Sequence, residues 1–169
     1  MSQAAAPDGR VALYDLDLST AADILAGRRQ DDWSAGYPTD GDRDIARWLV
    51  DHPPPAGTDP LYLPKQIVDA RRGLVVGGIG CHRPPDRDRR VEIGYGVAPE
   101  ARNQGLTSEA VRLLVAGLRM AGVHTVVART ARDNPPSQAV LRHNGFVGVG
   151  VDPDGLLRWE LRLRGSAHS

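Results

Sequence analysis

The sequence predicts an α/β (α+β) domain built on a mixed β-sheet with helices on its faces. Three observations carry that expectation. Val91, Ile93, Tyr95 and Val97 alternate with Glu92, Gly94 and Gly96, the period of two that sends successive side chains to opposite faces of a strand. Leu106, Ala110, Leu113, Leu114, Gly117, Leu118 and Ala121 recur at helical spacing and form one apolar stripe, closed by Gly122. Strand and helix signals also alternate along the chain without the strict βαβ repeat of an all-parallel sheet.

The other elements follow in chain order. Val11 to Tyr14 reads as a first strand, and Ser19 or Thr20 suits the cap of a short helix that ends at Gly27. After a polar segment with Trp33, Tyr37 and Pro38, Thr39 and Asp40 precede a second helix. Its face carries Ile45, Trp48 and Leu49, with Trp48 expected in the core. The stretch from His52 to Pro60 holds three consecutive prolines and must be loop. Tyr62 to Val68 and Leu74 to Cys81 are strands joined by a turn at Arg72-Gly73, and His82 to Arg89 is a polar hairpin loop. Thr125 to Ala128 is a further strand. A last helix starts at Asn134-Pro135, a cap followed by a first-turn proline, and stops at Gly145. Phe146 to Val151 and Leu156 to Leu163 flank Pro153-Asp154-Gly155 as a terminal hairpin.

The 169 residues suit one domain, expected over 10–164, with 1–9 and 165–169 as loose tails and no internal repeat. Apolar residues make up 41% and charged residues 25%, a globular composition. Lys+Arg and Asp+Glu both number 21, so no net field favours nucleic acid or an anionic membrane. Cys81 is the sole cysteine, which excludes an intrachain disulfide and is read as strand packing rather than a nucleophile. The N-terminal residues lack a signal-peptide pattern, and no apolar run approaches the ~20 residues needed to span a bilayer. A cytoplasmic protein is expected. His52, His82, His124, His143 and His168 show no metal-ligand spacing.

The chemistry concentrates where the alternating strand runs through Ala98-Pro99-Glu100 into the strong helix. The first N–H groups of a helix lack internal partners and sit at the positive end of its dipole, so a turn that aims them outward is an anion site. Gly105 permits close backbone approach, Thr107 and Ser108 add hydroxyls, and Arg102 adds a fixed positive charge. A pyrophosphate suits such a turn. Neither a G-x-x-x-x-G-K-[ST] loop nor a G-x-G-x-x-G fingerprint opening a helix is present.

Arg102-Asn103-Gln104-Gly105-Leu106-Thr107 resembles the Q/R-x-x-G-x-G/A signature with which the GNAT superfamily of N-acetyltransferases binds the pyrophosphate of acetyl-CoA. Thr107 departs from the usual Gly or Ala at the last position. Asn134-Pro-Pro-Ser137-Gln-Ala-Val-Leu141-Arg-His-Asn-Gly145-Phe146 is similar to the family's Asn-x-x-Ser-x-x-x-Leu-x-x-x-Gly-Phe helix. Glu92-Ile93-Gly94-Tyr95 matches the Glu-Ile-Gly-Tyr of the RimJ/RimL-like branch, which acetylates protein N-termini and includes small-molecule acetyltransferases. The resemblance covers about Val11 to Leu163 and is sharpest from Leu74 to Phe146. It implies a twisted, splayed sheet flanked by about four helices, with the acyl-pantetheine arm in the split.

The resemblance also implies acetyl-CoA as co-substrate and transfer of its acetyl group to a primary amine, on a small molecule or a protein N-terminus, by direct attack in a ternary complex. Tyr95, Gly96 and Val97, the run Arg102 to Ser108 and Asn134 with Ser137 are then the cofactor contacts. An N–H near Val97 would polarise the thioester carbonyl, an effect of about 3–4 kcal/mol in known oxyanion holes. A free alkyl amine titrates near ~10.4, so a base must take its proton. Glu92 is the candidate base, and its alternative is a plain ion pair with a nearby Arg.

Many enzymes of the family place a Tyr where this chain has Leu141, so the acid for the thiolate is open. Ser137 is one candidate and otherwise an ordinary first-turn serine; Asn134 is split between helix cap and cofactor contact. Trp33 and Tyr37, with Glu92, are candidates for the acceptor pocket, and Asp31 and Asp32 for attracting a cationic amine. A homodimer is left open. A second reading, a CoA-binding module that regulates without catalysing, has its foothold in Leu141. A third, an RNA- or ribosome-associated protein, is disfavoured by zero net charge.

Overall fold

In a computed structural model, residues 3–5 and 9–163 are described. The elements run β1 (Gln3–Ala5), β2 (Val11–Asp15), α1 (Leu18–Ala26), α2 (Asp40–Asp51), β3 (Lys65–Asp69), β4 (Leu74–Cys81) and β5 (Arg90–Val97). They continue with α3 (Leu106–Met120), β6 (Thr125–Thr130), α4 (Pro135–His143), β7 (Val147–Val151) and β8 (Leu157–Arg162). The described strands make one eight-stranded sheet in the order β1-β2-β3-β4-β5-β6-β8-β7. Every neighbouring pair is antiparallel except β5 and β6, which run parallel and mark the crossover through α3.

The period-two strands bury both faces. Ile67, Val76, Ile79 and Ile93 join the α3 residues Ala110, Leu114 and Leu118 and Leu141 of α4 in one core. Val68 and Val75, one position along from Ile67 and Val76, turn to the other face and pack with Ile24, Ala46 and Leu49 of α1 and α2. The apolar stripe of α3 is buried as its spacing requires, and Gly122 closes the helix in the left-handed conformation.

Several local expectations change in the structure. The cap of α1 is Asp17, not Ser19 or Thr20, because its carboxylate accepts the Thr20 N–H at 2.7 Å, three positions on. Thr39 does cap α2, as half of a capping box with Asp42. That helix docks on its smaller residues: Ala46 and Leu49 are buried, whereas Ile45 and Trp48 are exposed, and Trp48 stacks on His52 at 5.3 Å between ring centres. Trp48 is therefore not a core residue. Pro60–Tyr62 forms a single helical turn capped by Asp59, so the strand expected from Tyr62 begins at Lys65. Of the tail expected at 1–9, Gln3–Ala5 pairs with β2 as an edge strand; the tail at 165–169 lies outside the described residues.

Candidate active site

The sheet opens at one place. β5 stays paired with β4 from Ile93 to Val97, but its pairing with β6 covers only Arg90 to Glu92, opposite Thr125 to Val127. Beyond Glu92 the two parallel strands part. Main-chain groups of a strand alternate sides, and both the Glu92 carbonyl (from the His82 N–H, 2.9 Å) and the Ala98 N–H (to Val76, 2.7 Å) face β4. The N–H and C=O groups of Tyr95 and Val97 therefore face the gap. Gly96 opens on empty space.

The gap leads to the turn before α3. Gly105 caps that helix with φ of 76°, and Asn103 is also left-handed at 61°. No side chain caps the helix, and the six successive N–H groups from Asn103 to Ser108 have no acceptor among the described residues. The turn's other groups are tied down instead. Arg10 donates to the Gln104 carbonyl, Gln104 Nε2 donates to the Glu100 carbonyl at 2.9 Å, and Asn144 Nδ2 donates to Ser108 Oγ at 3.1 Å. A fixed run of outward donors at the positive end of a helix suits an anion. Arg102 is exposed beside it.

On the α4 side of the gap, Asn134 Oδ1 accepts the Ser137 N–H at 3.3 Å, so it caps the helix as its sequence position suggests. Ser137 Oγ donates to the phenolic oxygen of Tyr95 at 3.0 Å, and the Tyr95 hydroxyl donates to the Ser137 carbonyl at 3.1 Å. Burial pushes the Tyr95 phenol above its ordinary range, opposed by the Ser137 hydrogen bond. Leu141 is fully buried and offers nothing to the gap.

The other face of β5 presents Glu92. Its Oε2 lies 3.4 Å from His82 Nδ1 and 3.3 Å from Arg129 Nε, and the His82 ring covers Gly94. A cleft of about 780 Å³ joins Glu92, His82 and Arg129 to Tyr95 and Ser137, groups that an unbroken sheet would hold on opposite faces. His82 and Arg129 escape a reading of sequence alone. The hairpin register that sets Cys81 against Ile93 puts His82 beside Glu92, and the parallel register of Glu92 with Val127 brings Arg129 alongside.

The proposed acceptor aromatics sit elsewhere. Trp33 is 5% and Tyr37 1% exposed, their rings meet edge to face at 5.3 Å, and Gln66 donates to the Tyr37 hydroxyl at 3.0 Å. Rings so enclosed belong to the α1–α2 core and do not wall an open pocket. Asp31 and Asp32 are exposed but do not line the cleft. Cys81 is buried in strand packing, and desolvation pushes its thiol up to about 12, which suits a structural rather than a nucleophilic cysteine. Among the described residues no cluster of His, Cys, Asp or Glu is placed to hold a metal, and no helix is long and apolar enough to cross a membrane.

Residues 10–147 match the acetyltransferase (GNAT) domain family. The chain belongs to that family. The N-acetyltransferase YoaA of Bacillus subtilis, itself uncharacterised, is 35% identical over 78 residues, which span 46% of this chain and 44% of that protein. Among solved structures, Mycobacterium smegmatis RimJ in complex with CoA-disulfide superposes with a TM-score of 0.65 at 21% identity, covering 95% of this chain and 86% of that one. The dodecameric spermidine N-acetyltransferase of Vibrio cholerae gives 0.65 at 16% identity, over 91% of this chain and 94% of that one. A ribosomal-protein-S5-alanine acetyltransferase from Vibrio fischeri gives 0.63 at 18%, over 91% and 93%. At these identities the likeness is one of fold.

Proposed function

We propose that this GNAT family member is an acetyl-CoA-dependent N-acetyltransferase that delivers acetyl to a primary amine, on a small molecule or a protein N-terminus, in a ternary complex. One observation carries it: the unpartnered N–H groups from Asn103 to Ser108 adjoin a gap edged by the free main-chain groups of Tyr95 and Val97. The turn fits a diphosphate, and an open strand edge fits the amide-bearing pantetheine arm by strand-like pairing.

Within that frame Glu92 takes the amine proton, directly or through water, and the Val97 N–H polarises the thioester carbonyl. The amine nitrogen bonds to the carbonyl carbon as the carbon–sulfur bond breaks. In this reading the hydrogen-bonded Ser137–Tyr95 pair supplies the proton for the leaving thiolate, because buried Leu141 holds the position where the resemblance implies a tyrosine. Asn134, Arg102, Thr107 and Ser108 complete the cofactor contacts of this reading.

The test is incubation with acetyl-CoA and a panel of amines and N-terminal peptides, following free thiol. Turnover with at least one acceptor is expected. Buried Leu141 gives the regulatory reading its one support, and tight CoA binding without thiol release would favour it.

A further inference from the structure

The cleft beside Glu92 is lined by four arginines and, besides Glu92, by one exposed carboxylate, Asp86. Arg90, Arg129 and Arg158 line it with side chains 37%, 37% and 33% exposed, while the carboxylates that balance them, Asp152 and Glu160, are 13% and 17% exposed. Arg83 adds a fourth guanidinium with no ion-pair partner among the described residues.

The pairing is also incomplete in direction. Arg129 Nε lies 3.0 Å from Asp152 Oδ2, yet that buried oxygen has no directed hydrogen bond. Arg158 reaches Glu160 at 3.6 Å, on the same oxygen that Arg90 Nη2 holds at 2.7 Å. Among the described residues neither the Arg129 nor the Arg158 guanidinium donates a directed hydrogen bond to the protein. These two arginines are direct cross-strand partners on β6 and β8. Like charges opposite one another destabilise a sheet. Glu92, Asp152 and Glu160 offset this pair through one Nε contact or two each, which leaves the outer edges of both guanidinium forks without a partner among the described residues. A guanidinium has a planar fork of N–H donors that matches a carboxylate or a phosphate.

We propose that the acceptor is a small primary amine that itself carries an oxyanion, with its ammonium at Glu92 and its carboxylate or phosphate on Arg129 and Arg158. The assignment rests on the acetyl-transfer reading of the same cleft. Because Arg129 touches Glu92 at 3.3 Å, amine and anion lie close together on the acceptor, as in amino acids and aminoalkyl phosphates. A polyamine would bring its second cation against this rim and is disfavoured by repulsion.

The experiment measures binding and turnover separately on the full chain, with and without CoA. β-Alanine, O-phosphoethanolamine, propylamine and 1,3-diaminopropane are titrated calorimetrically, then assayed with acetyl-CoA by thiol release. At least one of the two anionic amines is expected to bind about tenfold or more tightly than propylamine, and the diamine more weakly still. Which anionic arm wins separates carboxylate from phosphate. Arg158→Gln is expected to collapse the ratio between that amine and propylamine to near one. Equal or tighter binding of propylamine or the diamine overturns the assignment, as does a ratio untouched by Arg158→Gln or no binding by either anionic amine. Selective binding of an anionic amine without thiol release from any acceptor would keep the assignment and sink acetyl transfer.

Discussion

Ser137 Oγ and the phenolic oxygen of Tyr95 are 3.0 Å apart, joined by a hydrogen bond between a helix and a strand 42 positions distant in the chain. The resemblance of the α4 segment sets Leu141, buried in the core, where many family members keep a tyrosine. The pair nonetheless puts two hydroxyls at the α4 edge of the gap. If they supply the proton to the leaving thiolate, Tyr95→Phe and Ser137→Ala each lower kcat about tenfold, below the full range of acid–base effects because a thiolate leaves readily. The deficit shrinks as pH rises toward the ordinary thiol range near ~8.5, where the thiolate needs no proton. Steady-state kinetics from pH 6.5 to 9 decide it, and a deficit that is flat with pH would make the pair structural.

Glu92 sits between an imidazole and a guanidinium, 3.4 Å from His82 and 3.3 Å from Arg129. As the group that takes the amine proton it is expected to lose about a hundredfold in kcat/KM for the amine on change to Gln, with CoA affinity little altered. A carboxylate that merely neutralised Arg129 would show the reverse: retained turnover and a lowered melting temperature. Thiol release and thermal melting on the same Glu92→Gln preparation separate the two.

The parts of this site that were legible in the sequence are those set by local chemistry. Asn134 before two prolines and Gly105 before an apolar stripe each encode their own turn, because a cap needs only its neighbours. What was illegible depends on register between distant strands. The opening of β5 from β6 after Glu92, the approach of Arg129 and the facing pair Arg129–Arg158 follow from which residues lie opposite one another. Alternation along one strand says nothing about its partner. Trp48 failed for another reason: helical spacing fixes that residues share a stripe, while docking decides which edge of the stripe is covered.

Gly105 holds the turn at φ of 76°, a conformation that costs a residue with a Cβ about 1 kcal/mol. A Cβ there would meet the Arg10 guanidinium at 3.5 Å, ordinary contact, so the backbone rather than a clash sets the effect. Gly105→Ala is expected to lower the melting temperature by a few degrees and to weaken CoA about tenfold or more as the donors from Asn103 to Ser108 lose their common aim. Calorimetric titration with CoA measures this. Unchanged affinity alongside lowered stability would detach the turn from CoA.

Cys81 lies in the sheet core with its thiol pushed up to about 12 by desolvation, slightly offset by the Lys65 charge. A thiolate is the reactive form, so Ellman's reagent at pH 8 is expected to leave native protein unlabelled and to titrate one thiol once denaturant is added. The same shift fixes a sign for stability. The unfolded chain loses its thiol proton in the ordinary range while the folded chain keeps it, so the contribution is complete below that range and declines as pH rises toward about 12. Denaturant melts at pH 8 and pH 10 check this against Cys81→Ala, in which that increment of alkaline destabilisation disappears. Rapid labelling of the native chain would instead show that β4 opens readily beside the cleft.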